Sequence, residues 1–290
     1  MKSKLLLVFL LVLFSIQGAL AQDLSAYCAQ PHDLSTKPTR FFSKITGTTA
    51  ITQNIANSLI KKELRNTTGS KALKAKIKTF SATDLLDGRF KSLTLKGSNL
   101  NFNGVYITNF DAKTICSFNN IKANKSPVVF KDNFAMQYDM LLSSDDLNKT
   151  LNSPEYQAIL SMLNVKSFGI NLFNINKVNV SLDSDKFIFS LLMNNDLFGY
   201  KVPINMNVST KLAVENGKIK VSELLLDNNK NSKINLSQLA SLLNVINPIS
   251  VSTNILGSDN AKVAVDNLKI EKNKLNISGT LFVPKSQTVY

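Results

Sequence analysis

The run FSATDLLDGRFKSLTLKGSNLNFNGVYITN, Phe80 to Asn109, decides the fold. Leu93 and Leu95 alternate with Ser92, Thr94 and Lys96; after Gly97-Ser98, Leu100 and Phe102 alternate with Asn99, Asn101 and Asn103. A hydrophobic period of two belongs to a half-buried strand, because successive side chains leave opposite faces of the backbone. The stretch therefore reads as an antiparallel hairpin made of apolar surface and turn residues, with no catalytic group in it.

Upstream, Ile51, Ile55, Leu59 and Ile60 recur at helical spacing between Thr48 and Arg65, and Gly69 lies just past the end. Lys61, Lys62 and Arg65 fall near the C-terminus, where cations suit the helix dipole. This stripe is expected to pack on the core; a helix lying on a membrane surface is the other reading. Lys71 to Phe80 then alternates Leu73, Ala75 and Ile77 with Lys74, Lys76 and Lys78, giving a strand with one greasy side and one positive side.

Downstream, Phe134, Met136, Tyr138, Met140 and Leu142 mark a longer strand. Ser143 stands three residues before Asp146, an approximate capping box for a helix carrying Leu147 and Leu151. Ser153-Pro154-Glu155 opens a second helix bearing Tyr156 and Leu160. Beyond Leu163 three hairpins share one pattern, with an aliphatic residue and a lysine four positions later: Leu182 and Lys186, Val214 and Lys218, Ile270 and Lys274. Their spacing is irregular, so a solenoid is not supported. A last helix is expected from Leu236 to Val245, ended by Pro248.

The order of amphipathic helix, basic strand, D-L-L-x-G-R-F (Asp84 to Phe90), then strands punctuated by K-G-S-N-L (Lys96 to Leu100) and F-N-G (Phe102 to Gly104) resembles the LmeA-type phospholipid-binding family of exported bacterial proteins. The likeness continues into S-S-D-D-L-N-K-T-L-N-S-P-E-Y (Ser143 to Tyr156) and covers roughly Ile45 to Leu163. These motifs are turns and caps. The resemblance implies a non-enzymatic lipid binder with a role in envelope lipid or lipoglycan maintenance.

Met1 to Ala21 has the form of a secretory signal peptide, with Lys2 and Lys4, an apolar run from Leu5 to Ile16, and an Ala19-Leu20-Ala21 cleavage site. Its removal takes two lysines and no acid, so the formal charge of +14 becomes +12. A secreted or periplasmic protein with anionic partners is expected. Gln22 to Lys44, with Pro31 and Pro38, reads as an extended arm, and residues 45 to 290 as one elongated domain whose part after 163 is hairpin-rich. In this compartment Cys28 and Cys116 favour one disulfide, the alternative being two buried free thiols.

The expected fold class is α+β: a long twisted antiparallel sheet curled around a few amphipathic helices, with a groove between them. Met136, Met140, Phe187, Phe189 and Met206 are candidates for an acyl-chain groove, since flexible thioethers and rings suit an irregular apolar guest. Ordinary core packing is the plainer reading of each. Candidate headgroup contacts are Lys74, Lys76, Lys78, Arg89 and Lys91, with Arg89 foremost because guanidinium engages phosphate through two parallel hydrogen bonds. The lysine face also has a plainer reading, protection of a sheet edge. Asp84 and Asp87 are expected to shape a turn.

His32 is the only histidine, which argues against a histidine-based triad or metal site. There is no G-x-S-x-G, P-loop, dinucleotide fingerprint or H-E-x-x-H. No enzyme activity, metal or cofactor is expected. Export and the lack of tryptophan argue against nucleic acid. The expected partner is a phospholipid or other anionic lipid, with peripheral membrane contact; the rival is an envelope structural or adhesive protein docking on acidic polymers.

Overall fold

The computed structural model describes residues 28–70, 72–122, 128–163, 174–197, 200–226, 236–249 and 261–286. The signal-peptide segment and the first residues of the arm lie outside these. Thirteen strands alternate with helices among the described residues, and every strand pairing is antiparallel.

The largest sheet has the order β1 (Lys74–Lys78), β3 (Ser92–Phe102), β4 (Val105–Thr114), β7 (Phe134–Ser143), β13 (Lys274–Val283), β12 (Lys262–Glu271). A second holds β11 (Lys218–Leu226), β10 (Tyr200–Glu215), β9 (Lys186–Leu197) and β8 (Asn174–Asp183). A small third sheet joins β2 (Arg89–Phe90), β5 (Asn119–Lys122) and β6 (Val129–Phe130). The expected single long sheet is thus three sheets. The first two meet where the Val265 N–H donates to Gly217 O, at 2.8 Å.

The hairpins follow their turn chemistry. Asn103-Gly104 closes β3–β4 and Asn216-Gly217 closes β10–β11, all four residues having positive φ, as two-residue hairpin turns require. Ser184 and Asp185 both have positive φ in the β8–β9 turn, and Asn273 alone does in the β12–β13 turn. All three hairpins of the shared pattern form.

Six helices complete the described fold. Helix α1 (Lys37–Ile45) overturns the expectation of an irregular arm up to Lys44: the Thr36 side chain caps it and proline is accommodated in its first turn, where no N–H partner is lost. Helix α2 (Thr48–Thr68) ends at Gly69 with φ 65°. Helix α3 (Ala82–Leu86) is capped by Ser81. Helix α4 (Ser144–Leu151) starts in a complete capping box, with the Asp146 N–H donating to Ser143 Oγ and the Ser143 N–H to Asp146 Oδ2. Helices α5 (Pro154–Leu163) and α6 (Leu236–Ile246) follow.

An asparagine on a helix caps an edge of each large sheet. Asn57 of α2 accepts the Ile77 N–H of β1 at 2.7 Å, and Asn244 of α6 accepts the Val221 N–H of β11 at 2.8 Å. Asn148 of α4 both accepts from the Val180 N–H and donates to Val180 O on β8. Exposed strand edges invite pairing with other chains, and these side-chain amides occupy the groups such pairing would use.

One apolar cluster runs through the molecule from Leu73 to Val283. Phe118, Tyr156, Phe187 and Phe189 are fully buried in the interior, and the Tyr156 hydroxyl donates to Ile246 O, tying α5 to α6. The N-terminal arm is anchored in three places. Cys28 and Cys116 form a disulfide with Cα atoms 5.3 Å apart, the His32 ring lies against Phe118, and Ser35 binds Asp84.

Candidate functional site

The two faces of the six-stranded sheet have opposite chemistry. On one, register partners form the row Lys74, Lys96, Asp111, Asp139, Ser278, Asn267, and beside it Lys76, Thr94, Lys113, Gln137, Thr280. On the other lie Ala75, Leu95, Ala112, Tyr138, Gly279 and Val265. Neighbouring strands stand about 4.8 Å apart, so the register gathers Lys74, Lys76, Lys78, Lys96 and Lys113 into one basic patch at the β1 edge. Lys96 pairs with Asp111. Lys96 and Lys113 were not singled out from sequence; the polar members of Asn109, Asp111 and Lys113 alternate as those of β1 do, which was the signal.

Lys74, Lys76 and Lys78 are exposed, whereas Leu73 and Ile77 between and beside them are buried. Lys91 is exposed too, its ammonium 5.3 Å from the centre of the Phe80 ring, and its N–H donates to Lys78 O at the end of β1. Arg89 is placed differently. Its guanidinium pairs with Asp87, and its Nε lies 3.5 Å from Asp84 Oδ1. Asp84 is fully buried, accepting from the Ser35 N–H, the Ser35 hydroxyl and the Ser81 hydroxyl. Burial pushes this carboxyl up, but those three donors and the Arg89 charge together hold it below the usual carboxylate range. Asp84, Asp87 and Arg89 thus form a brace between α3, the following turn and the arm.

Met136 and Met140 point into the interior from β7 and are buried, as are Phe187 and Phe189 on β9, whose rings lie 4.9 Å apart. Met206 is half-buried against the same cluster. Met140 shares its face and register row with Phe110, Gly97 and Ile277. The five candidates therefore surround one interior, and the lysines stand on the opposite face of the sheet from Met136 and Met140. A depression of about 640 Å³ lies over the polar face, lined by Lys74, Lys96, Asp111, Asp139, Lys269 and Glu271 among others.

Helix α2 lies over the β1 edge. Ala56 and Ile60 of α2 pack against the core, while Ile51, Ile55 and Leu59, expected to face it, are exposed. Of the four residues in the stripe Ile60 alone faces inward; it shares that side with Thr52, Ala56 and Asn57, whose small and polar side chains let the helix approach β1 and place Asn57 on the strand edge.

Among the described residues no cluster of metal-ligating side chains occurs, and no helix is long and apolar enough to cross a membrane. The disulfide is consistent with an extracytoplasmic protein. An α+β chain with a basic sheet face and an apolar interior on its other side has the makings of an amphiphile-binding protein. Residues 47–280 match the family described as LmeA-like phospholipid-binding, and the chain belongs to that family, which is one of lipid binding and not of catalysis. The match runs through the hairpin-rich C-terminal part, well beyond the stretch whose motifs carry the resemblance. Searches among curated proteins and among solved structures gave no match.

Proposed function

We propose that this protein holds a phospholipid across the β1 edge, with the acyl chains on the inner apolar face of the six-stranded sheet and the headgroup phosphate among the lysines of the outer face. The observation that carries the reading is β1 itself: an edge strand whose buried Ile77 and exposed Lys76 and Lys78 put apolar and cationic surface one strand's thickness apart. An amphiphile bridging that edge matches both. Acyl chains lying over Leu93 and Leu95 run towards Met136 and Met140, with Phe187, Phe189 and Met206 as the far wall. Each methylene withdrawn from water contributes about 0.8 kcal/mol, so the tails need no specific contact. Room is made by displacing α2, which rests over the β1 edge through Ala56, Ile60 and the Asn57 hydrogen bond.

In this reading Lys76 and Lys78, with Lys74, Lys113 and Lys91 around them, meet the phosphate, and Arg89 supports the site by ordering the turn beneath it. The protein shields phospholipid in an aqueous envelope space, outside the cytoplasm, and serves lipid transfer or envelope maintenance. Organic extraction of purified protein followed by mass spectrometry should recover phospholipid, and lipid-free protein should take it up from vesicles. Lys76→Glu with Lys78→Glu should reduce the bound fraction. Protein that is lipid-free as isolated and takes up none would refute the proposal.

The exposed lysine patch also fits docking on an acidic cell-surface polymer, the reading of a structural or adhesive protein. Such binding would be lost with salt and indifferent to acyl chains, whereas lipid held by its tails resists salt.

A further inference from the structure

Ten large apolar side chains are exposed among the described residues, and seven of them stand on α1, α2 and α3, three helices joined in sequence or packed together. Phe41, Phe42 and Ile45 lie on α1, Ile51, Ile55 and Leu59 on α2; with Leu86 of α3, each is between 55 and 78 % exposed. Water-facing apolar surface on this scale marks an interaction site. The opposite side of α2 is already used, through Ala56 and Ile60, against the sheet.

The charges beside this surface say what covers it. Lys37, Arg40 and Lys44 recur along one side of α1, next to the side bearing Phe41 and Ile45, and α1 has no acidic residue. Helix α2 adds the exposed Lys62, with Lys61 and Arg65 half-buried on the neighbouring side, against a single acid, Glu63. Two copies of the chain meeting through these helices would set cations against cations. A bilayer containing anionic lipid presents the complement of both features: hydrocarbon for the phenylalanines and isoleucines, and phosphate for the lysines and arginines, whose long stems let the charge stay at headgroup level.

We infer that α1 and α2 together form a membrane-docking surface that seats this protein on anionic phospholipid bilayers. The inference deepens the lipid-binding proposal above and rests on it for its purpose: α2 covers the β1 edge, so a bilayer contacted by α2 lies beside the place where a lipid would be taken in or released.

The test is co-sedimentation of the purified protein with vesicles of phosphatidylcholine alone or mixed with phosphatidylglycerol, run beside uptake of a short-chain, monomeric phosphatidylglycerol from solution. The protein should sediment with the mixed vesicles and far less with phosphatidylcholine alone. Phe42→Ser with Ile55→Ser should weaken binding to the mixed vesicles about tenfold or more. Lys44→Glu with Lys62→Glu should abolish the preference for phosphatidylglycerol. Both pairs sit on exposed positions, and both variants should take up short-chain lipid as the parent does. Parent-like sedimentation of the serine variant overturns the inference, as does a concentration-dependent dimer of the parent that the serine pair dissociates. If the variants lose vesicle binding while no protein, parent included, takes up monomeric lipid, docking stands and the ligand reading falls. If monomeric lipid is taken up but the parent ignores vesicles, the ligand reading stands and docking falls.

Discussion

Ser35 gives Asp84 two hydrogen bonds, one from its backbone N–H and one from its hydroxyl, each 2.8 Å long. The residues are 49 positions apart, and the pair fixes the arm to the N-terminus of α3. Asp84→Asn should therefore destabilise the protein by about 1–3 kcal/mol, the usual cost of leaving buried donors and a guanidinium without their acceptor, measured by urea unfolding. The same carboxyl sets a pH dependence. Its folded pKa is depressed, so its contribution is fully present above the unfolded value of about 3.9 and is lost as pH falls through the folded pKa. Acid below about pH 4 should loosen the arm in the parent, seen as faster proteolysis near Ser35 with an acid-active protease, and should change little in the asparagine variant.

Reduction of Cys28–Cys116 should lower stability by about 2–5 kcal/mol, because the bond closes a loop with a sequence separation of 88. The loss should be measurable as a fall in the urea midpoint on adding dithiothreitol. At neutral pH the reduced arm keeps its Ser35–Asp84 contact, so reduction and Asp84→Asn together should cost more than either alone.

Asn148→Ala removes both hydrogen bonds to Val180 and leaves a strand edge without its cap. A loss of about 1–3 kcal/mol is expected. Bared edges template strand addition, so the variant should also aggregate faster than the parent on mild heating, followed by light scattering.

Ile55 and Ile77 look alike in composition and opposite in place. Ile55→Ser on the outer side of α2 should change stability by no more than about 0.5 kcal/mol, whereas Ile77→Ala, buried on β1, should cost about 2–5 kcal/mol. Equal costs at the two positions would contradict the orientation of α2.

Much of this was legible from local chemistry. The hairpins announced themselves by period-two alternation and by turns such as Asn103-Gly104 and Asn216-Gly217, and α2 and α4 by Gly69 and by the Ser143 capping box. Helix α1 was obscured by Pro38, which marks an extended segment as often as a first helical turn. The rotation of α2 could not be read either, because periodicity defines a stripe without saying what the stripe meets. Asn57, Asn148 and Asn244 looked like turn composition, yet each finds a strand distant in sequence. The clustering of Lys96 and Lys113 with the β1 lysines needs the registers of three strands at once, and Arg89 reads as a free phosphate ligand only until Asp84 is known to be buried beside it.

In the six-stranded sheet, β13 sits between β7 and β12, so the last strands of the chain complete a layer begun two hundred residues earlier. Until residues 262–283 arrive, β7 is an unpaired edge. A polypeptide made from its N-terminus stands in that half-built form for as long as its last strands are delayed, a sticky species that invites holdase chaperones. Truncation near the C-terminus should for that reason abolish solubility outright instead of trimming a dispensable tail.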